Sequence, residues 1–325
     1  MLAQQLINGL MLGASYALVA IGYTIIFGVL RLLHFAHGEV FMFGAFIGLQ
    51  IVLAWSGVNI YLAIIFAMLG TGVIGVIVAL IAVRPISSKY PLAPLISTIG
   101  ATLIMQNVAV SVFGGENQSF PETMDPVIYG FAGVTVSNIQ IFTLLMSMII
   151  MVALWQFVGR SKTGRAIRAV AESHETAALM GVNVGRTVLI TFFLASCLAG
   201  AAGVLDGVKN SAVSPFMGLE VAVAGLVCML LGGLGNIFGA MVAGFILGLV
   251  EILSAAYLGT SLRDLFTFVI LILILLYKPS GLFGTRVVDD CSIPIRRSPD
   301  EPFYRISSGF HRHPCYCRDE FLHAL

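Results

Sequence analysis

An all-α bundle of membrane-spanning helices, with about 8–10 spans and one cytoplasmic helix, is the fold this sequence predicts. Three observations carry that reading. Of 325 residues, 58% are hydrophobic and 10% charged, with a mean hydropathy of +0.99, whereas soluble domains carry about 25% charge. Apolar runs of span length recur along the chain as far as residue 283. Finally, the long run inside that body which water would solvate, from Gly159 to Arg186, is basic.

A span needs about 20 apolar residues. Runs of that kind fall at 5–30, 40–55, 60–83, 92–113, 138–159, 187–205, 219–234, 237–256 and 264–283. The second and seventh are short and glycine-rich, and read as candidates for re-entrant or broken helices. The N-terminal run lacks a basic leader and a small-residue cleavage site, so it reads as a retained first span.

Loop charges orient the bundle. With nine spans, Arg31, Arg84, Lys89, Arg160, Lys162, Arg165, Arg168, Arg186, Lys278 and Arg286 share one side, and only Lys209 and Arg263 fall on the other. The positive-inside rule therefore puts the N-terminus outside and the central loop in the cytoplasm. The segment from Gly114 to Asn138 carries Glu116, Glu122 and Asp125 but no Lys or Arg, and is expected outside with a short surface helix. Basic residues are scattered between spans rather than gathered on a face, which excludes nucleic-acid binding; membrane lipid is the expected surrounding.

Glycine recurs at helical spacing, as in Gly9/Gly13, Gly44/Gly48, Gly203/Gly207, Gly235/Gly239 and Gly244/Gly248. Small residues four apart let helices approach closely where lipid removes the hydrophobic drive between them.

Stretches that invite chemistry mostly resolve into structure. His34, His37 and Glu39 would point about 0°, 300° and 140° around a helix, too divergent for a metal, and are expected to cap helix ends at the cytoplasmic turn. Gly159 to Gly164 has the frame of a phosphate loop, yet Arg165 and Ala166 stand where lysine and a hydroxyl are needed. Gly232-Gly233-Leu234-Gly235-Asn236 reads as a tight turn. No cofactor or metal site is expected in the body of the chain. Among intramembrane polar residues, Gln106, Asn107 and Glu251 are candidates for helix packing or for a translocation pathway, with interhelical hydrogen bonding favoured for the amide pair.

In the central loop, Ile167, Val170, Ala171, His174 and Ala178 form one stripe, which predicts a short amphipathic helix lying along the membrane. Its continuation, Glu175-Thr-Ala-Ala-Leu-Met-Gly181, resembles the E-A-A-x-x-x-G coupling motif of bacterial ABC import permeases, with Thr176 departing from the middle alanine. Further segments resemble the Liv-type branched-chain amino acid permeases. They are Tyr16-Ala-Leu-Val-Ala-Ile-Gly-Tyr23, Phe35-Ala-His-Gly-Glu39, Ile96-Ser-Thr-Ile-Gly100, Met105-Gln-Asn107, Gly164-Arg-Ala-Ile-Arg-Ala169, Leu231-Gly-Gly-Leu-Gly235 and Pro279-Ser-Gly-Leu-Phe-Gly284. They occur in the family's order and cover residues 1–286; His34 stands where the family usually carries Asn.

The resemblance implies a multi-pass permease subunit of the bacterial cytoplasmic (inner) membrane, importing leucine, isoleucine or valine by ATP-driven alternating access. It implies three kinds of association: a second permease subunit, identical or related, two cytoplasmic ATP-binding subunits and a periplasmic or extracellular solute-binding protein. The chain itself would not be an enzyme. Arg165, Arg168, Glu172, Glu175, Ala177 and Gly181 would form the ATPase-coupling surface, with glycine ending the helix in a left-handed residue. Permeases for amides or urea are similar, and a passive channel is a rival that ATP-independent flux would reveal.

Residues 287–325 depart from the body. They hold three of six histidines, three of five cysteines and four of eleven prolines, and read as a disordered, atypical tail. His311, His313, Cys315 and Cys317 offer soft-metal ligands there, but the composition alone favours no bound metal.

Overall fold

The computed structural model describes residues 2–55, 59–86, 93–121, 127–131, 134–260, 263–278 and 281–284. The tail from Val287, with its cluster of His and Cys, lies outside them, as do Lys89, Glu122, Asp125 and Arg286.

Each of the nine expected apolar runs is a helix. They are α1 (Leu2–Leu30), α2 (His37–Ala54), α3 (Ile60–Val78, extended by a π-turn at Ala79–Val83), α4 (Ala93–Phe113), α5 (Asn138–Arg160), α8 (Val184–Asn210), α9 (Met217–Gly232), α10 (Ile237–Tyr257) and α11 (Arg263–Tyr277). Seven of these are long and apolar enough to cross a membrane; α9 and α11 are shorter apolar helices. Two small helices, α6 (Lys162–Glu172) and α7 (His174–Leu179), occupy the central loop.

Glycine sets which helices touch. The most extensive pairing joins α1 to α10 across an antiparallel seam. A Cβ at Gly13 would lie 2.7 Å from the Cα of Phe245, and one at Gly244 would lie 2.6 Å from the Cα of Ala17. Another glycine seam joins α2 to α8, where Gly44 meets Gly200 and Gly203 meets Phe41, backbone to backbone. Gly235 and Gly207 depart from the expected pattern. Gly235 is a turn residue at φ +82°, and Gly207 packs on Phe120 and Val213.

The outer side differs from expectation as well. Among the described residues of the 114–138 segment there is no helix; instead β2 (Ile128–Phe131) and β3 (Val134–Ser137) form a hairpin. The alternation in Val134-Thr-Val-Ser suits a strand. Gln4 of α1 fastens this hairpin, accepting from the Thr135 N–H at 2.8 Å and donating to its carbonyl at 2.9 Å. A second short pairing, β1 (Gln118–Ser119) with β4 (Ala212–Val213), ties the α4–α5 loop to the end of α8. Lys209, an outer-side cation, is paired 3.5 Å from Asp206, which leaves the charge asymmetry intact.

On the opposite side the α9–α10 turn follows the expected course. Asn236 caps α10 by accepting from the Gly239 N–H at 3.0 Å, and donates to the Phe283 carbonyl at 2.8 Å. Asn236→Ala is expected to cost about 1–2 kcal/mol. A lowered melting midpoint in detergent checks this, and an unchanged one would remove the cap from the account.

Candidate functional site

The central loop emerges from α5 through Ser161, whose Oγ accepts from the Gly164 N–H at 2.8 Å and so starts α6. Gly164 leaves no room for a side chain, because a Cβ would fall on the Val158 backbone. That contact gives the glycine of the near-miss phosphate loop a packing reason.

Two helices occupy the loop where one was expected. Ser173 is extended at φ −156°, and its Oγ accepts from the Thr176 N–H at 3.3 Å while its own N–H donates to the Ala169 carbonyl at 3.2 Å. Serine in that position closes one helix and opens the next. The break resets the helical phase. Ile167 and Val170 are buried as the stripe predicts, but beyond Ser173 the buried alanine is Ala177 and Ala178 is exposed.

Two bonds hold this loop against the cytoplasmic end of α1. The Arg31 guanidinium donates to the Glu172 carbonyl at 3.0 Å, and the His174 ring nitrogen lies 2.6 Å from the Val29 carbonyl. Arg168 is directed back to the Val158 carbonyl near the C-terminus of α5, a favourable place for a cation. Of the six residues expected on a coupling surface, Arg165, Arg168, Glu172 and Glu175 are exposed, and Gly181 ends the tip at φ +82° with its N–H on the Ala178 carbonyl. Ala177 faces the body of the protein instead. Sequence reasoning missed Leu179 and Met180, which stand 87% and 81% exposed at the tip. Two bare apolar side chains between a glutamate and a left-handed glycine were the available signal.

A second locus lies inside the bundle. The expectation that His34, His37 and Glu39 cap a cytoplasmic turn is wrong, since they are 2%, 0% and 1% exposed. After Leu30 the chain reverses at Arg31, φ +53°, and climbs back beside α1 until His37 packs on Gly22. Gly22 is eight residues from the end of α1, so α2 begins about 12 Å inside that end. Tyr23 meets His37 edge to face at 4.7 Å, and His34 meets Phe192 at 5.0 Å.

There α2 meets α9. The backbones of Gly38 and Gly218 touch, and the Glu39 carboxylate lies against Gly218 in the first turn of α9. Contacts farther along place α9 beside α1, with Gly225 on Val19 and Tyr23 and the α9–α10 turn near Gly28, so it runs toward the cytoplasm. Contacts of Gly44 with Gly200 and of Gly48 with Val204 take α2 the other way. Two helices thus start side by side within the protein and diverge. Neither has a side-chain cap, which α3 lacks as well, whereas α5, α6, α7, α8 and α10 are capped by Ser137, Ser161, Ser173, Asn183 and Asn236. Both oxygens of Glu39 and both ring nitrogens of His37 are buried without a hydrogen-bond partner.

The remaining candidates lie elsewhere. Asn107 bonds the Leu103 carbonyl of its own helix at 2.8 Å rather than a neighbouring helix, and faces outward on α4 beside Leu103, Ile104 and Val108. Gln106 is half-buried on the same helix. Glu251 is buried and lines a cavity of about 500 Å³ with Tyr16, Glu220 and Thr267, between α1, α9, α10 and α11. Among the described residues no three His, Cys, Asp or Glu side chains are grouped to hold a metal.

The family profile described as the permease component of the branched-chain amino acid transport system matches residues 5–275. The chain belongs to that family. Its relatives include the high-affinity branched-chain amino acid permease protein LivH of Escherichia coli K12, 35% identical over 299 residues, which covers 88% of this chain and 96% of LivH. BraD of Pseudomonas aeruginosa is 34% identical over 298 residues, 88% and 97% of the two chains. The probable LivH of Methanocaldococcus jannaschii is 26% identical over 286 residues, 82% and 88%. No solved structure matches. As a permease-family protein with seven helices of spanning length, the chain is a multi-pass protein of the cytoplasmic membrane and the membrane-embedded component of a transport system.

Proposed function

We propose that this permease imports leucine, isoleucine or valine as one subunit of an ABC importer. It works with a second permease subunit, two cytoplasmic ATP-binding subunits that carry out all hydrolysis, and an external solute-binding protein. The substrate class is supported by LivH and BraD, branched-chain amino acid permeases that the chain covers almost end to end. The coupling role rests chiefly on one observation, the α7 tip with Glu175, Leu179, Met180 and Gly181 outward on a loop hydrogen-bonded to α1. A helix seated on a nucleotide-driven partner would pass its displacement to α1 through Arg31 and His174, shifting the balance between outward and inward openings.

Uptake of labelled leucine into vesicles holding the complete transporter tests the reading, with and without ATP. Flux that ignores ATP would identify a channel, and uptake of an amide in place of leucine would move the substrate class. Within the same assay, Gly181→Pro is expected to abolish coupling, because proline cannot adopt a φ near +82° and loses the N–H that bonds Ala178. Glu175→Lys reverses the charge in the first turn of α7, where an anion is favoured, and should also uncouple ATP use from uptake. Normal transport by both variants, inserted at wild-type levels, would count against docking.

A further inference from the structure

We propose that Glu39, set between the uncapped N-termini of α2 and α9, is the station inside the bundle that receives the charged head group of the transported α-amino acid. Glu39 takes the ammonium, and the first-turn amides of the two helices take the carboxylate. The inference rests on the amino-acid reading above and adds to it a place and a set of residues.

Three features of the locus point to a ligand. A carboxylate in the interior of a membrane protein is costly, and is retained where it meets an ion or a substrate. Here both carboxylate oxygens and both nitrogens of the adjacent His37 are buried without partners, although buried polar groups are ordinarily satisfied. Two helix N-termini converge on the same carboxylate, and neither carries the serine or asparagine cap that the helices α5–α8 and α10 have.

Electrostatics gives the arrangement its chemistry. Each helix N-terminus acts as roughly half a positive charge, so two of them balance one carboxylate. The locus is then neutral without solute, and stays neutral when a zwitterion enters with its ammonium on Glu39 and its carboxylate on the helix ends. A solute carrying only one of these groups would bring an uncompensated charge into a medium of low dielectric. The same geometry explains why the station is closed here. Gly38 and Gly218 touch through their backbones, and Gly38 also abuts Ala222 of α9, so admitting a solute requires the first turns of α2 and α9 to move apart.

The test uses the complete transporter in vesicles. Glu39→Gln is expected to lower leucine uptake about 10- to 100-fold, the worth of a charge-assisted hydrogen bond, while assembly with the ATPase subunits and binding-protein-stimulated ATP hydrolysis persist. Glu39→Asp should restore part of the uptake. A readout that does not depend on a variant folding comes from the wild-type complex. A hydrophobic carbodiimide should modify Glu39 during turnover, and leucine should slow that modification where 4-methylpentanoate, which lacks the amino group, does not. Wild-type leucine uptake by Glu39→Gln would overturn the assignment, as would carbodiimide labelling that is absent or indifferent to leucine. In either case wild-type import of leucine would leave the substrate reading standing, whereas a wild-type complex that imports no leucine overturns both.

Discussion

Replacing Leu179 and Met180 together by aspartate is expected to abolish ATP-driven uptake while leaving the chain inserted and as well folded as the wild type. The two side chains stand 87% and 81% exposed, so removing them deletes almost no internal packing. Surface changes of that kind usually move stability by less than about 0.5 kcal/mol. The helix beneath them keeps its start at Ser173 and its stop at Gly181. At an interface, by contrast, apolar anchors that fill a pocket contribute about 2 kcal/mol or more each, and two buried carboxylates would add a desolvation cost. Association should therefore weaken by at least a hundredfold or so. Co-purification of the ATP-binding subunits with the variant, beside leucine uptake, measures both halves of the expectation. If the two residues only rest in the lipid headgroups, the variant would keep its partners and its transport, and the docking surface would have to be sought elsewhere.

Gly44→Val is expected to do the reverse and destroy the bundle itself. A Cβ at Gly44 would fall on the Gly200 backbone, and Gly200 is in turn held against Thr71 of α3. Three helices therefore meet with no spare volume, and relief would require α2 and α8 to separate along their length. Overpacking of a well-filled core costs typically 1–3 kcal/mol, and backbone contacts that cannot rotate away put this site at or above the top of that range. Against the 5–15 kcal/mol that typically separates folded from unfolded domains, the loss is large. The chain should express poorly and elute from size-exclusion chromatography as aggregate. Gly100→Val provides the contrast, since nothing lies within 4 Å of a Cβ there. Equal behaviour of the two variants would contradict the seam.

Much of the bundle was legible because lipid leaves few choices: a backbone in hydrocarbon must satisfy itself, so each long apolar run became a helix. Loop charges grouped the central loop with the end of α1, and the Arg31–Glu172 contact places them together. What stayed illegible depended on contacts distant in sequence. Nothing local to His34, His37 and Glu39 says that a reversal at Arg31 folds them inward, because the surface that receives them is built by α8 and α9 as well as by α1. Helical spacing flagged glycines but could not tell a seam such as Gly44 from a turn such as Gly235. Two misreadings were local and avoidable. The serine at 173 is a cap residue inside a supposed helix, and the strand alternation at Val134–Ser137 was present in the sequence. Leu179 and Met180 were hidden differently, since exposure is a property of the finished surface.

The seam between α1 and α10 also bears on how the protein is made. Gly9 and Gly13 are synthesised well before the residues they pack against, Phe245, Gly248 and Leu249. Until then α1, the most heavily buried of the described spans, lacks its partner along that face. The α1–α10 seam can therefore close only after α5, α8 and α9, which also pack on α1, have been made.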